Sequence, residues 1–231
     1  GWVVGGDLTT GYIFHTLNGG KNWEIQYSVL NQHLWHVTFI TDNEGWSVGV
    51  SGTILHTMDA GKTWEIQDSG TNQTIYKVRF VSSEIGWVLG TWGTILHTTN
   101  GGETWIRQKA PGEHFTDGYF LDQEQGWLVG HEGSLAQTKD GGRNWERRES
   151  GTADANLLGI AFVNETDGFV ISSTGGLLYT TDGGNFWKGK NLNPNATLKS
   201  VAFRSEQEGW AVGVNGTILY TSDGGHQWRP I

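Results

Sequence analysis

Six tryptophans recur along this chain at nearly constant intervals. Trp23, Trp64, Trp105, Trp145, Trp187 and Trp228 are separated by 41, 41, 40, 42 and 41 residues. Each closes a short cluster: "LNGGKNW", "MDAGKTW", "TNGGETW", "KDGGRNW", "TDGGNFW" and "SDGGHQW". Upstream of each cluster stands a second mark: "GWVVG", "GWSVG", "GWVLG", "GWLVG", "GFVIS" and "GWAVG". A third, such as "GTILHT" or "GTILYT", lies between them. Six registered copies make an internal repeat, and a repeat of this length confines the chain to architectures in which one unit buries the face of the next.

Each unit predicts four short strands. In order they are exemplified by "LWHVTF", the Gly-Trp segment, "TILHT" and "TWEIQ". All are rich in β-branched and aromatic residues and are bounded by Gly, Asp and Asn. Helical periodicity is absent. Four strands per period of this length predict an all-β protein, a β-propeller whose blades stack around a channel. A solenoid of stacked sheets would leave two exposed edges in need of capping, and no segment reads as a cap. The expected organisation is one domain, 1–231, with blades near 1–28, 29–69, 70–110, 111–151, 152–192 and 193–231. Blade 1 begins at its second strand, so the pattern gives six visible blades with one inner strand lacking. A seventh blade outside the chain is compatible with it.

The cluster around each tryptophan is explained without a ligand. Asn18, Asp59, Asn100, Asp140, Asp182 and Asp223 stand where the third strand reverses into the fourth. Asp and Asn there are expected to accept backbone N–H groups two residues on. The glycines supply positive φ, and the tryptophan packs over the hairpin. A feature present on every blade is scaffold, so a functional site must come from what differs between blades.

The spacing S/T-x-D-x-G-x-T-W resembles the Asp-box, or BNR, repeat of sialidases and other propellers, where it lies away from the catalytic centre. With the "GW.VG..G.IL.T.DGG..W" context the chain resembles, over essentially its whole length, the photosystem II assembly and stability-factor propellers and their bacterial relatives. That resemblance implies a non-enzymatic, extracytoplasmic propeller in the periplasm, thylakoid lumen or secreted space. Its partner would be a protein, a subunit of a membrane complex. The photosynthetic members have seven blades, whereas six are visible here. Two alternatives are a carbohydrate-binding or sialidase/glycosidase-like propeller, and a structural module of a larger secreted or surface protein. The only text near a sialidase Phe-Arg-Ile-Pro stretch is "FRSE" at 203–206, which does not match.

Composition narrows the partner. The net charge of −9 opposes a nucleic-acid role, which needs a basic footprint. No apolar run reaches the length of a membrane-spanning helix, and no signal peptide is read in the chain. With no cysteine there are neither disulfides nor thiolate metal sites. No cofactor and no metal is expected. His15, His56 and His97 share one position in the third strands, but Gln137, Tyr179 and Tyr220 stand there in other blades. They therefore read as residues packed between blades and bonded to backbone, not as metal ligands.

What differs between blades lies in two places. In the inner strands His36 with Thr38, Lys77 with Arg79, and Asp117 with Tyr119 occupy positions that hold Gly159, Ala161, Ser200 and Ala202 in blades 5 and 6. In the turns between second and third strands Trp92 and His131-Glu132 stand where other blades carry small residues. His36, Lys77, Arg79, Trp92, Asp117, Tyr119 and His131 are thus the candidate partner-binding residues. Exposed Trp beside Arg suits an interface anchor. Trp92 and Trp35 are the two tryptophans outside the repeat pattern. Acids such as Glu44, Glu84, Glu124, Asp167 and Glu208 gather in the turns between first and second strands, expected on the same face as the box turns, which would give that face negative potential.

Overall fold

The computed structural model describes residues 1–7, 9–112, 114–152, 155–191 and 197–231. The expected boundary between blades 5 and 6, at 192/193, lies outside the described residues. The chain is an all-β propeller of six blade sheets. Five have four antiparallel strands in sequence order and the first has three. Blade 3 is representative, with strands Ile75–Phe80, Gly86–Gly90, Thr94–Thr98 and Ile106–Gln108. Blade 1 comprises Trp2–Gly6, Thr10–His15 and Glu24–Leu30. The chain divides into two compact units, Gly1–Lys109 with blades 1 to 3 and Ala110–Ile231 with blades 4 to 6.

The core is a set of layers between successive blades. In unit 1, Trp46, Val48 and Ile54 of blade 2 pack with Ile75, Val78, Phe80, Val88 and Leu96 of blade 3. In unit 2, Trp127, Val129 and Leu135 of blade 4 meet Leu157, Ile160, Phe162, Val170 and Leu178 of blade 5. A second strand sandwiched this way is apolar on both faces, which is why "GWSVG", "GWVLG", "GWLVG" and "GFVIS" are buried at every residue. Blade 6 differs: Val212 and Ile218 are 41% and 40% exposed, whereas Val48 and Ile54 at the same positions of blade 2 are at 0%.

Aromatic side chains tie each layer together. Trp46 lies between His56 of its own blade (ring centroids 4.5 Å apart) and Phe80 of the next (3.6 Å). Phe80 in turn receives the edge of Trp105 at 5.9 Å. The same edge-on pairing joins Trp64 to Phe39, Trp145 to Phe120, Trp187 to Phe162 and Trp228 to Phe203. Such offset and edge-to-face geometry adds roughly 0.5–1.5 kcal/mol per pair beyond burial. In the three-stranded blade 1, Trp23 makes no such pairing among the described residues and is 42% exposed.

The histidines of the third strands differ from expectation in one respect. They pack flat on the indoles, as His15 on Trp2 and His97 on Trp87 also do. His56, however, reaches the Glu44 carboxylate through Nε2 at 3.3 Å and not a backbone group.

Candidate functional site

The box turns join the third strand of each blade to its fourth. The Thr57 hydroxyl donates to Asp59 Oδ1 (2.9 Å) and accepts the N–H groups of Asp59 (3.3 Å) and Gly61 (2.9 Å). Asp59 Oδ1 accepts the Thr63 N–H at 2.9 Å, and Oδ2 accepts its hydroxyl at 2.7 Å. These bonds, the Thr63 N–H foremost, hold the Asp59 carboxyl below the usual carboxylate range. The N–H two residues on from the threonine is therefore taken by the threonine hydroxyl. The Asp accepts four residues on, a wider turn than the two-residue Asx bond expected from sequence. The hydroxyl-to-glycine bond recurs in all six boxes, at 2.8–3.0 Å.

A box turn is also bonded to the acid-bearing turn of its own blade. The Gly101 N–H donates to Glu84 O, Gly141 to Glu124 O and Gly224 to Gln207 O. The acidic turns and the boxes thus share one end of each blade.

The opposite end is built differently. Each inner strand of the four-stranded blades shifts register by one residue near its start, between Leu34 and His36, Ile75 and Lys77, Phe115 and Asp117, Leu157 and Gly159, and Leu198 and Ser200. The extra residues are Trp35, Tyr76, Thr116, Leu158 and Lys199. A bulge frees its residue from the alternation of the strand and re-aims the side chain. In unit 1 both such residues are aromatic, and Trp35 is 58% exposed. Sequence reading passed over Tyr76, because period-two alternation cannot reveal where a strand slips by one.

Trp92 belongs to the same end of blade 3, where the Thr91 N–H donates to Thr74 O at 2.9 Å. Its φ is 57° and it is 70% exposed. Ser51, Glu132 and Asn215 hold the same left-handed conformation in their blades. The turn therefore demands αL, and a bulky residue is an uncommon occupant there. Arg107 Nη2 donates to the Trp92 carbonyl at 3.4 Å.

Lys77 and Arg79 act on His36. Burial, then the charges of Lys77 and Arg79, push the His36 pKa down to about 3. The imidazole is neutral at physiological pH, and its Nδ1 is buried without a hydrogen-bond partner among the described residues. Unit 1 thus carries Trp35, Tyr76 and Trp92 at this end, and His36, Lys77 and Arg79 on the inner strands of the same two blades.

In unit 2 the candidates are employed within the fold. Asp117 is buried. Its carboxylate accepts the Gly118 N–H at 2.9 Å and, from the next blade, the Ile160 N–H at 3.2 Å. Tyr119 packs against Phe162 at 5.5 Å. His131 is exposed and stacks on His114 at 5.7 Å. Among the described residues, no group of three or more His, Asp or Glu side chains is disposed to hold a metal ion. No helix of the described residues is long and apolar enough to cross a membrane.

Comparison with known proteins follows the same lines. Residues 1–68, 26–115 and 150–231 match the family described as photosynthesis system II assembly factor YCF48. A structure of YCF48 bound to D1 peptide is 21% identical, with a TM-score of 0.76, over 97% of this chain and 79% of that one. YCF48 from Cyanidioschyzon merolae is 19% identical, with a TM-score of 0.62, over 100% of this chain and 88% of that one. The GH74 enzyme of Niastella koreensis is 14% identical, with a TM-score of 0.78, over 98% of this chain but 44% of that one. At such identities these likenesses establish the fold. No curated protein matches the sequence. With matched segments spanning most of its length and the blade architecture in common, the chain belongs to the photosynthesis system II assembly factor YCF48 family.

Proposed function

We propose that this chain is a non-enzymatic protein-binding propeller, a scaffold or assembly factor for a membrane-associated complex, working outside the cytoplasm. Its partner docks on the bulge end of unit 1. The observation that carries the reading is the aromatic set at one end of unit 1, the exposed Trp35 and Trp92 with the half-buried Tyr76, whose strand also carries Lys77 and Arg79. Large aromatic side chains held rigidly beside cations are what interface anchors are made of. The strained backbone at Trp92 agrees, since a site that tolerates Asn in another blade keeps a tryptophan here. Family membership and the D1 peptide held by one structurally similar YCF48 support a peptide or protein ligand. The glycosidase alternative rests on fold likeness alone, and fold does not carry function.

Affinity capture from detergent-solubilised membranes of the source cells tests this. The chain is expected to retain a membrane-complex subunit and to lose it in Lys77→Glu/Arg79→Glu. Binding on a glycan array together with no retained protein would overturn the proposal.

A further inference from the structure

Unit 2 contains a cavity of about 590 Å³ between blades 5 and 6, at the box-turn end. Its walls include Asp167, Phe169, Tyr179, Lys190, Glu206 and Asp223. That volume is in the range of small-ligand sites. The repeat supplies its own controls for why the opening exists.

In blades 2 and 6 the polar aromatic of the third strand is tied to the acid of the neighbouring turn. His56 meets Glu44 at 3.3 Å, and the Tyr220 hydroxyl donates to Glu208 at 3.1 Å. Blade 5 has Tyr179 and Asp167 at these two positions. Asp167 is one methylene shorter. Its Oδ2 accepts Asn164 Nδ2 at 2.9 Å, and among the described residues no hydrogen bond joins it to Tyr179. The pair that is bonded in blades 2 and 6 is not bonded here.

The second control is the strap across neighbouring blades. Gln26 and Gln67 reach the carbonyls of Ala60 and Gly101 in the next box. The equivalent of Gln67 in blade 5 is Lys190, whose ammonium donates instead to the His226 carbonyl. That cation is engaged at the cavity wall. Asp223 is spent on its own box turn, accepting the Gln227 N–H at 2.8 Å. Asp167, whose Oδ2 also accepts the Thr166 hydroxyl at 3.4 Å, and the exposed Glu206 line the space together with Tyr179.

We propose that this cavity is a binding site for a guanidinium group, the head of an arginine side chain on a partner protein. A planar guanidinium offers five donors in a fork that matches carboxylates, and it stacks on aromatic faces. Three carboxylates against one ammonium give the cavity a negative balance that a neutral ligand would not use. The site is independent of the bulge end of unit 1, and either can fail without the other.

The test is calorimetric titration of the whole chain with the blocked tripeptide Gly-Arg-Gly and with its citrulline and lysine versions. Citrulline keeps the shape and removes the charge. The arginine peptide is expected to bind saturably, and the citrulline and lysine peptides at least about tenfold more weakly. Asp167→Asn should weaken arginine binding by a similar factor. Asp167→Glu should abolish it by restoring the bond to Tyr179 that blades 2 and 6 make, with an unchanged amide NMR spectrum away from blades 5 and 6. No saturable binding, equal binding of the citrulline or lysine peptide, or full binding by folded Asp167→Glu would each overturn the proposal. The citrulline comparison uses the unaltered protein and stands even where a variant fails to fold.

Discussion

In unit 1 the amide that crosses from one blade to the next comes from the fourth strand. In blade 4 of unit 2 it comes from the third. Gln26 and Gln67 donate to Ala60 O and Gly101 O at 2.7 and 2.8 Å. Gln137, at the position His56 holds in blade 2, donates to Gly183 O at 3.1 Å and is itself held by Arg148 Nε at 2.9 Å. The acceptor is the same point of the box in all three, the residue after the Asp or Asn. What is fixed is therefore a half-buried carbonyl that takes a bond from the neighbouring blade, while the donor is free to move between strands. At blades 5 and 6 Lys190 bonds a different carbonyl, and a cavity stands there.

The largest expected effect concerns how rigidly each unit fills the space under its boxes. A Cβ at Gly184 would come within 2.4 Å of the fully buried Trp127 indole, at a φ of 82°. At Gly102 it would come within 2.0 Å of the end of Gln67, at a φ of 90°. The indole cannot yield but the amide can, by giving up its bond. Gly184→Ala is expected to destabilise by about 3 kcal/mol or more in urea unfolding, and Gly102→Ala by about 2 kcal/mol. Equal losses would show that the amide strap is as unyielding as the indole.

The inner strands supply the next contrast. His36 of unit 1 has its pKa lowered from 6.5 to about 3, whereas the inner strands of unit 2 have Asp117, Gly159 and Ser200 at that position and no histidine. Below pH 6.5 the unfolded chain takes up a proton there that the folded chain refuses. Stability should therefore fall as pH drops from 6.5 toward 3, by about 2 kcal/mol at pH 5. His36→Gln should remove that part of the slope, read from urea midpoints at pH 7 and pH 5. An unchanged slope would place the acid sensitivity elsewhere.

Smaller again, Gln67→Ala and Gln137→Ala should each cost about 1–2 kcal/mol, with Gln137 the costlier because Arg148 Nε also loses its acceptor while the Glu146 pair remains. The smallest effect runs the other way. Lys190→Gln would place in blade 5 the amide that Gln67 has in blade 2 and should stabilise by about 0.5–1 kcal/mol, visible as a raised thermal midpoint. A loss of stability in that variant would show that Lys190 is more than a substitute strap.

The architecture was legible because tryptophans at constant spacing cannot hide in a repeat, and each Gly-Trp segment marked a second strand. The straps were not legible, since Gln67 and Gln137 stand at different places in the repeat and only the shared carbonyl relates them. Trp35 stood out by count, but no alternation pattern marks the register slip that exposes it. Asp117 had the look of a polar residue awaiting a partner, and its partner includes a backbone N–H 43 residues away. Such pairings depend on how blades stack, which local spacing does not encode.

The central claim is that binding belongs to the bulge end of unit 1, and the equivalent positions of unit 2 are the natural control. Surface plasmon resonance with the captured membrane-complex subunit would compare Trp35→Ala/Tyr76→Ala with Leu158→Ala/Lys199→Ala, which alter the corresponding bulge residues of blades 5 and 6. Binding is expected to be at least about tenfold weaker for the first pair and unchanged for the second. Equal affinity in all variants, or a loss confined to the unit 2 pair, would contradict that claim.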